Sequence, residues 1–168
     1  MTETAAEQLG VTDMEAVRAL RLEALSLHPD CFCADPDLVE ALTAEQWTEA
    51  LARGTWFGVR KNGVLVAMAA FTRPLSKKID HTGELSAMYV RAEARGSGIA
   101  DALMRRIIEH AANQVDQIQL AVNADNACAI RLYERHGFRV VGRMPHYIRV
   151  GDRSYDELIM LRGVSSSD

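Results

Sequence analysis

The sequence predicts one mixed α/β, or α+β, sheet with helices on both faces. Three observations carry that reading. Two hairpin signals, Asn62-Gly63 and Gly151-Asp152, each stand between strand-like runs. Between them the pattern changes to strand, helix, strand, helix, strand. Ahead of both, Thr12-Asp13-Met14-Glu15 and Thr43-Ala44-Glu45-Gln46 read as capping boxes that open helices.

Taken in order, residues 4–9 offer a weak first strand. Met14, Val17, Leu20 or Arg21, Leu22 and Leu25 then follow at helical spacing up to His28-Pro29, where the residue before proline disfavours helix. Residues 30–37 read as a polar loop. A short helix follows Thr43 to about Arg53, with Gly54 closing it. Residues 56–60 and 64–71 flank Asn62-Gly63 as a hairpin, 73–82 connect, and 84–90 form a strand. Ile99, Leu103, Ile107 and Ala111 make one apolar helical stripe, with Asp101 and Arg105 placed to pair outside it. Ile118, Leu120 and Val122 alternate with polar or small neighbours, as in a strand with one buried face. Asp125 or Asn126 caps a helix carrying Ile130, Leu132 and Tyr133, which ends at Gly137. Residues 138–141 are a strand, and 146–150 with 155–161 form the last hairpin. Residues 163–168 read as a frayed tail.

At 168 residues the chain has the length of one domain, 1–168, able to bury a core unaided. A net charge of −4 gives no reason to expect nucleic-acid or membrane partners. The polar, acidic start lacks the regions of a signal peptide, and no apolar run approaches a membrane span. Three cysteines, Cys31, Cys33 and Cys128, are an odd count that argues against a disulfide framework and for a reducing cytoplasm. Cys-x-Cys without a second pair or a histidine cluster makes a poor metal site, so no metal is expected.

The most informative string is Arg95-Gly96-Ser97-Gly98-Ile99-Ala100, between a strand and a helix. A glycine-rich turn that opens a helix presents unpaired N–H groups and the positive end of the helix dipole to one spot, which suits a pyrophosphate. Arg95 adds a positive charge, and Gly96 and Gly98 remove the Cβ atoms that would hold a phosphate away. The bland alternative is a plain strand-to-helix turn. A Rossmann-type dinucleotide site is weaker still, since the full Gly-x-Gly-x-x-Gly spacing is missing, and no Gly-Lys-Ser/Thr marks a P-loop.

Downstream stands Asn126-Ala127-Cys128-Ala129-Ile130-Arg131-Leu132-Tyr133, followed by Gly137-Phe138, and the closing run is Tyr155-Asp156-Glu157-Leu158-Ile159-Met160. The joint pattern, Arg-x-x-Gly-x-Gly/Ala and then Asn-x-x-Ala-x-x-Leu-Tyr-x-x-x-Gly-Phe, resembles the GNAT N-acetyltransferases over residues 84–161. The resemblance implies a mostly antiparallel sheet with a splayed central strand pair, and acetyl-CoA as the donor. It also implies direct transfer to a primary amine of a small molecule, peptide or protein within a ternary complex. A non-catalytic acyl-CoA sensor is the alternative.

By the same resemblance, the pyrophosphate would rest on Arg95, Gly96, Ser97, Gly98, Ile99 and Ala100. The pantetheine arm would run beside the strand of Met88, Tyr89 and Val90, with Asn126 helping to hold it. Tyr133 stands at the family's general-acid position, and its phenol suits protonation of a departing sulfur. Glu84, at the start of the central strand, is the candidate base. It shares a face with Ser86, Met88 and Val90 unless a bulge, usual in the family, intervenes. A base is needed because freeing a lysine-like amine of one proton at pH 7 costs about 4.6 kcal/mol. For both residues a purely structural role is the competing reading. His136 reads as a capping-region residue, His110 as exposed, and His146 with Tyr147 as possible substrate contacts. Asp30, Asp35, Asp37 and Glu40 make the early loop acidic, which would favour a cationic acceptor if the loop is more than solvated surface. A homodimer through the last hairpin is left open.

Overall fold

The computed structural model describes residues 5–164. Strands β1 (Glu7–Leu9), β2 (Gly54–Lys61), β3 (Val64–Thr72), β4 (Thr82–Val90), β5 (Gln117–Asn123), β6 (Arg139–Val150) and β7 (Arg153–Gly163) form one sheet. Its order is β1-β2-β3-β4-β5-β7-β6. All neighbours run antiparallel except β4 and β5. Helices α1 (Met14–Leu27), α2 (Pro36–Glu40) and α3 (Ala44–Ala52) precede β2, while α4 (Ile99–Ala111) and α5 (Ala127–Arg135) flank β5. Among the described residues no helix is long and apolar enough to cross a membrane.

The sheet is apolar on both faces, so its core divides in two. On one face α4 and α5 bury Leu103, Met104, Ile107 and Leu132 against Phe57, Phe71, Ile118 and Met160. On the other, Val17 and Leu20 of α1 and Trp47 of α3 pack on Leu65, Met68 and Tyr89. Strand β3 lies between them, which explains its unbroken apolar run from Leu65 to Phe71, all buried. The α4 stripe of Ile99, Leu103, Ile107 and Ala111 is buried throughout, as its 3.6-residue period requires.

Two departures from regular pairing build the site. First, β4 pairs with β5 only over Thr82–Glu84 with Gln117–Gln119. Beyond that point β4 follows β3 and β5 follows β7, so the two strands splay. Second, β4 carries a bulge: Met68 faces Tyr89, but Ala70 faces Ser86, and Ala87 takes φ +53°. The extra residue exchanges the faces. Leu85 packs in the α4 core, Tyr89 in the α1 core, and Met88 and Val90 against the α4 side. Glu84 and Ser86 therefore do not share a face with Met88 and Val90.

Several local expectations are revised. Thr12 and Glu15 form no capping box. A 3-10 turn at Val11–Asp13 precedes α1, with Gly10 N donating to Asp13 Oδ2 at 2.9 Å. Asp13 also meets Arg60, which holds β1, α1 and β2 together. The Thr43 box does form, with Gln46 N donating to Thr43 Oγ1 and Thr43 N donating to Gln46 Oε1. Gly54 starts β2 rather than closing α3. The loop at 30–37 contains a 3-10 turn and the first residues of α2, where Asp35 caps by accepting from Asp37 N. Residues 139–150 form one long strand, bulged twice and kinked at His146, φ +53°. Gly163 belongs to β7, and the rest of the expected tail, 165–168, lies outside the described residues, as does Thr4 of the weak first strand.

Candidate active site

The splay opens a cleft of about 650 Å³, within the usual size range of a ligand pocket. The N-terminus of α4 forms one end. Gly96 and Gly98 adopt φ +72° and +80°, in the left-handed region that side chains with a Cβ resist. Gly98 is the N-cap of α4 and no side chain caps it, so the first-turn N–H groups stay open toward the cleft. A Cβ at either glycine would meet nothing within 4 Å. The cradle is therefore free space, and the backbone conformation, not crowding, demands glycine. Ile99 and Ala100 line it from the helix. Ser97 turns back instead, donating its hydroxyl to Ala94 O at 2.5 Å and tightening the turn.

Arg95 is not a free cation beside this cradle. Its Nε donates to Val90 O at 2.9 Å, and Nη2 lies 3.2 Å from His28 Nε2. The guanidinium thus lies over the end of β4. Asp101 does not pair with Arg105. It reaches across to Arg135 and to His136 Nε2, at 3.2 and 2.8 Å, linking the start of α4 to the end of α5. Burial works against its charge, but these hydrogen bonds prevail and hold its carboxyl below the usual range. His136 is half-buried as a result, at the C-cap of α5. His110 is not exposed either: its ring meets the edges of Phe57 and Phe71, and desolvation lowers its pKa.

Met88, Tyr89 and Val90 form the β4 wall of the cleft, and Asn126 stands opposite on α5. Asn126 has a second task, since its Oδ1 caps α5 by accepting from Ala129 N at 3.1 Å. Beside it, Asn123 is 2% exposed. Its Nδ2 donates to Asp30 O at 2.7 Å, and its Oδ1 accepts from Asp125 N. That side chain clamps the 3-10 turn at Pro29–Cys31 across the splay. Asn123 escapes sequence reasoning because an asparagine at the end of a strand looks like turn chemistry.

The cleft adjoins a second chamber of about 360 Å³, and Cys31 and Phe32 line both. Tyr133 and Glu84 both line the chamber, together with Arg21, Cys33 and Glu157. Tyr133 is 5% exposed, its ring in edge contact with Phe138 at 6.0 Å. Burial, and then the nearby Cys31, push its phenol above the ordinary tyrosine pKa, so it stays a proton donor. Glu84 is exposed at the chamber's edge. Glu157, which the sequence reading does not single out as catalytic, is 3% exposed and lies within the chamber wall. Burial raises its carboxyl, partly offset by the Cys33 thiol, which donates to Oε1 at 3.6 Å. A signal existed: between Tyr155 and Leu161, Glu157 is the one charged residue among the alternate positions 155, 157, 159 and 161 of β7.

The acidic early loop contributes little to the chamber. Asp35 is spent capping α2, and Asp37 lies in that helix's first turn. Neither His146 nor Tyr147 lines either cavity; His146 N donates to Asp156 Oδ1 at 2.8 Å, and Tyr147 is exposed. All three cysteines are free. The Cys33 thiol is pushed up to about 11, by desolvation first and then by Glu157 and Glu84. At pH 8 only about one part in a thousand would be thiolate, so alkylation of Cys33 by iodoacetamide is expected to run roughly a hundredfold slower than that of free cysteine. Peptide mapping by mass spectrometry across pH 8–11 reads this directly. Fast labelling at pH 8 would show that Cys33 does not stand between two carboxylates.

A model of the acetyltransferase (GNAT) family matches residues 17–138. An L-amino acid N-acetyltransferase of Escherichia coli is 26% identical, with 96% of this chain and 99% of that protein aligned. An N-acetylaspartate synthetase of Danio rerio is 39% identical over 97 residues, covering 57% of this chain and 33% of the relative. The chain thus spans about a third of the length of the synthetases it matches. Among solved structures, a Salmonella typhimurium protein with its cofactor acetyl-CoA superposes with a TM-score of 0.80 at 23% identity, over 99% of this chain and 97% of that one.

Proposed function

Because the chain belongs to the GNAT acetyltransferase family, we propose that it transfers the acetyl group of acetyl-CoA directly to the primary amine of a small molecule, within a ternary complex. The observation that carries this is the uncapped, doubly glycine-lined N-terminus of α4, facing a cleft that leads past Asn126 to Tyr133. That end offers a fixed set of N–H donors to a pyrophosphate without competition from a side-chain cap. The names of the relatives, an L-amino acid N-acetyltransferase and N-acetylaspartate synthetases, favour a small acceptor over a protein lysine or N-terminus. The odd number of cysteines, all free, supports a reducing compartment such as the cytoplasm.

When bound, acetyl-CoA supplies an activated thioester at the inner end of the cleft. The chain's own residues supply the proton chemistry. The backbone of Met88, Tyr89 and Val90 lines the route, with the bulge at Ala87 turning it toward the chamber. A carboxylate of the chamber, Glu84 or the more buried Glu157, takes a proton from the acceptor ammonium. The N–C bond forms as the C–S bond breaks, and Tyr133 gives its proton to the sulfur. The nitrogen's second proton restores the phenol, and one proton leaves to water overall.

Calorimetric titration of the purified protein with acetyl-CoA, followed by thiol-release assays on a panel of amines, tests the reading. One-to-one binding at micromolar affinity with release on small amines is the expected result. Binding without release on any amine would favour an acyl-CoA sensor, and absence of binding at millimolar ligand would remove the proposal.

A further inference from the structure

The chamber is bounded by two opposite charges that do not meet. Arg21, on α1, lays its guanidinium over Phe32 at 5.1 Å, and its Nη1 is shielded from solvent with no hydrogen-bond partner among the described residues. Glu157 comes from β7 on the far side of the sheet's splay. One of its oxygens takes the Cys33 thiol, and the other, Oε2, is buried without a partner. No ion pair joins Arg21 to Glu157 or to any other described carboxylate.

Buried polar atoms without partners are rare in native proteins because each forfeits its hydration. Two of opposite sign around one chamber of about 360 Å³ point to a ligand that brings both missing charges. Arg21 is also held in place. Two residues along α1, Glu23 takes both Arg91 Nη2 at 2.7 Å and the Tyr89 hydroxyl at 3.1 Å, fixing the helix to the end of β4.

Resting on the acetyltransferase reading, we propose that the acceptor is a free amino acid or close analogue, its carboxylate bound by Arg21 and its ammonium by Glu157. The guanidinium fork suits a carboxylate, and the fully buried glutamate suits the ammonium whose nitrogen is to be acylated. The substrate then completes the charge pair that the protein leaves open. An amine without a carboxylate would leave Arg21 unpaired. A peptide N-terminus would do the same, because its first carbonyl is neutral. Selection is therefore against peptides and simple amines as much as for amino acids.

Matched triads test this: an L-amino acid, its C-terminal amide and its decarboxylated amine, for leucine, phenylalanine and aspartate. The wild-type protein is expected to favour the free acid in kcat/KM by at least about tenfold within the best triad. Arg21→Met is expected to raise KM for the acid roughly 10- to 100-fold while changing the amide and amine less than about threefold. Arg21→Lys is expected to fall between. Melting temperature and acetyl-CoA affinity, unchanged in both variants, exclude a loosened α1. If Arg21→Met does not fold, the wild-type triads decide alone. Equal use of acid, amide and amine, or an equal loss on all three in Arg21→Met, would overturn the proposal while leaving the acetyltransferase reading intact. If no amine releases thiol, that reading fails separately. Calorimetry of the acid against its amide, on protein loaded with CoA, then still reads the carboxylate preference, and equal affinity would overturn it.

Discussion

Gly98→Asp is expected to weaken acetyl-CoA binding at least about a hundredfold, while Gly98→Asn stays within about tenfold of wild type. The pair separates charge from conformation. Gly98 sits at φ +80°, where a Cβ costs roughly 1–2 kcal/mol. Asparagine and aspartate are the side chains that bear this region best, and their shapes are nearly the same. Nothing of the protein lies within 4 Å of the new Cβ, so neither variant clashes with the fold. What differs is a negative charge at the N-terminus of α4, where open N–H groups and the helix dipole would otherwise receive a pyrophosphate. Like charges brought together there cost several kcal/mol, and about 2.7 kcal/mol is a hundredfold in Kd. Calorimetric titration of the three proteins measures it. Equal affinities for the aspartate and asparagine variants would show that no phosphate approaches this turn.

The asymmetry between what the sequence discloses and what it hides follows from range. Local rules find the Asn62-Gly63 hairpin, where Asn62 and Gly63 adopt φ +52° and +79°, because a two-residue turn needs left-handed backbone there. They find α4, since one apolar stripe and two glycines mark both its face and its start. They fail where a partner is distant in the chain. Asp101 has Arg105 one turn away, yet it pairs with Arg135 and His136, which α5 carries to it across the cleft. Asp13 serves a backbone N–H and Arg60 rather than the box its neighbours suggest.

The chamber shows the same limit more sharply. Glu84 is legible from its place at the head of the central strand, and it does line the chamber. The bulge at Ala87 separates it from the face of Met88 and Val90; the family resemblance allows for a bulge in this strand, but the residues do not fix its position. Arg21 is the clearest case. In the sequence it is one of two arginines on α1, read only as an alternative to Leu20 in the helical spacing. Only the packing of α1 on β3 and β4, with Glu23 tied to Arg91, brings it to the wall of the chamber that Glu157 also lines.

Tyr133→Phe is expected to lower turnover roughly 10- to 1000-fold while leaving acetyl-CoA affinity within a few-fold. The substitution removes one oxygen and keeps the ring against Phe138, so α5 and the cap at Asn126 stay in place. No protein group among the described residues holds the hydroxyl, so its loss leaves no partner unsatisfied, and the melting temperature should hold or rise slightly. A tyrosine that merely filled the core would show the same melting behaviour with unchanged turnover, which is the result that would remove Tyr133 as the acid. The pH profile adds an independent check. Burial raises the phenol above its ordinary pKa, so the acid remains protonated through neutral and mildly alkaline pH and contributes no descending limb there. The base works in its ionised form, so activity should climb as pH rises through its pKa. If the base is Glu157, whose carboxyl burial raises, that ascending limb is displaced upward from the ordinary glutamate range. Glu157→Gln should then abolish the displaced limb and Glu84→Gln should leave it, whereas the reverse pattern would assign the base to Glu84.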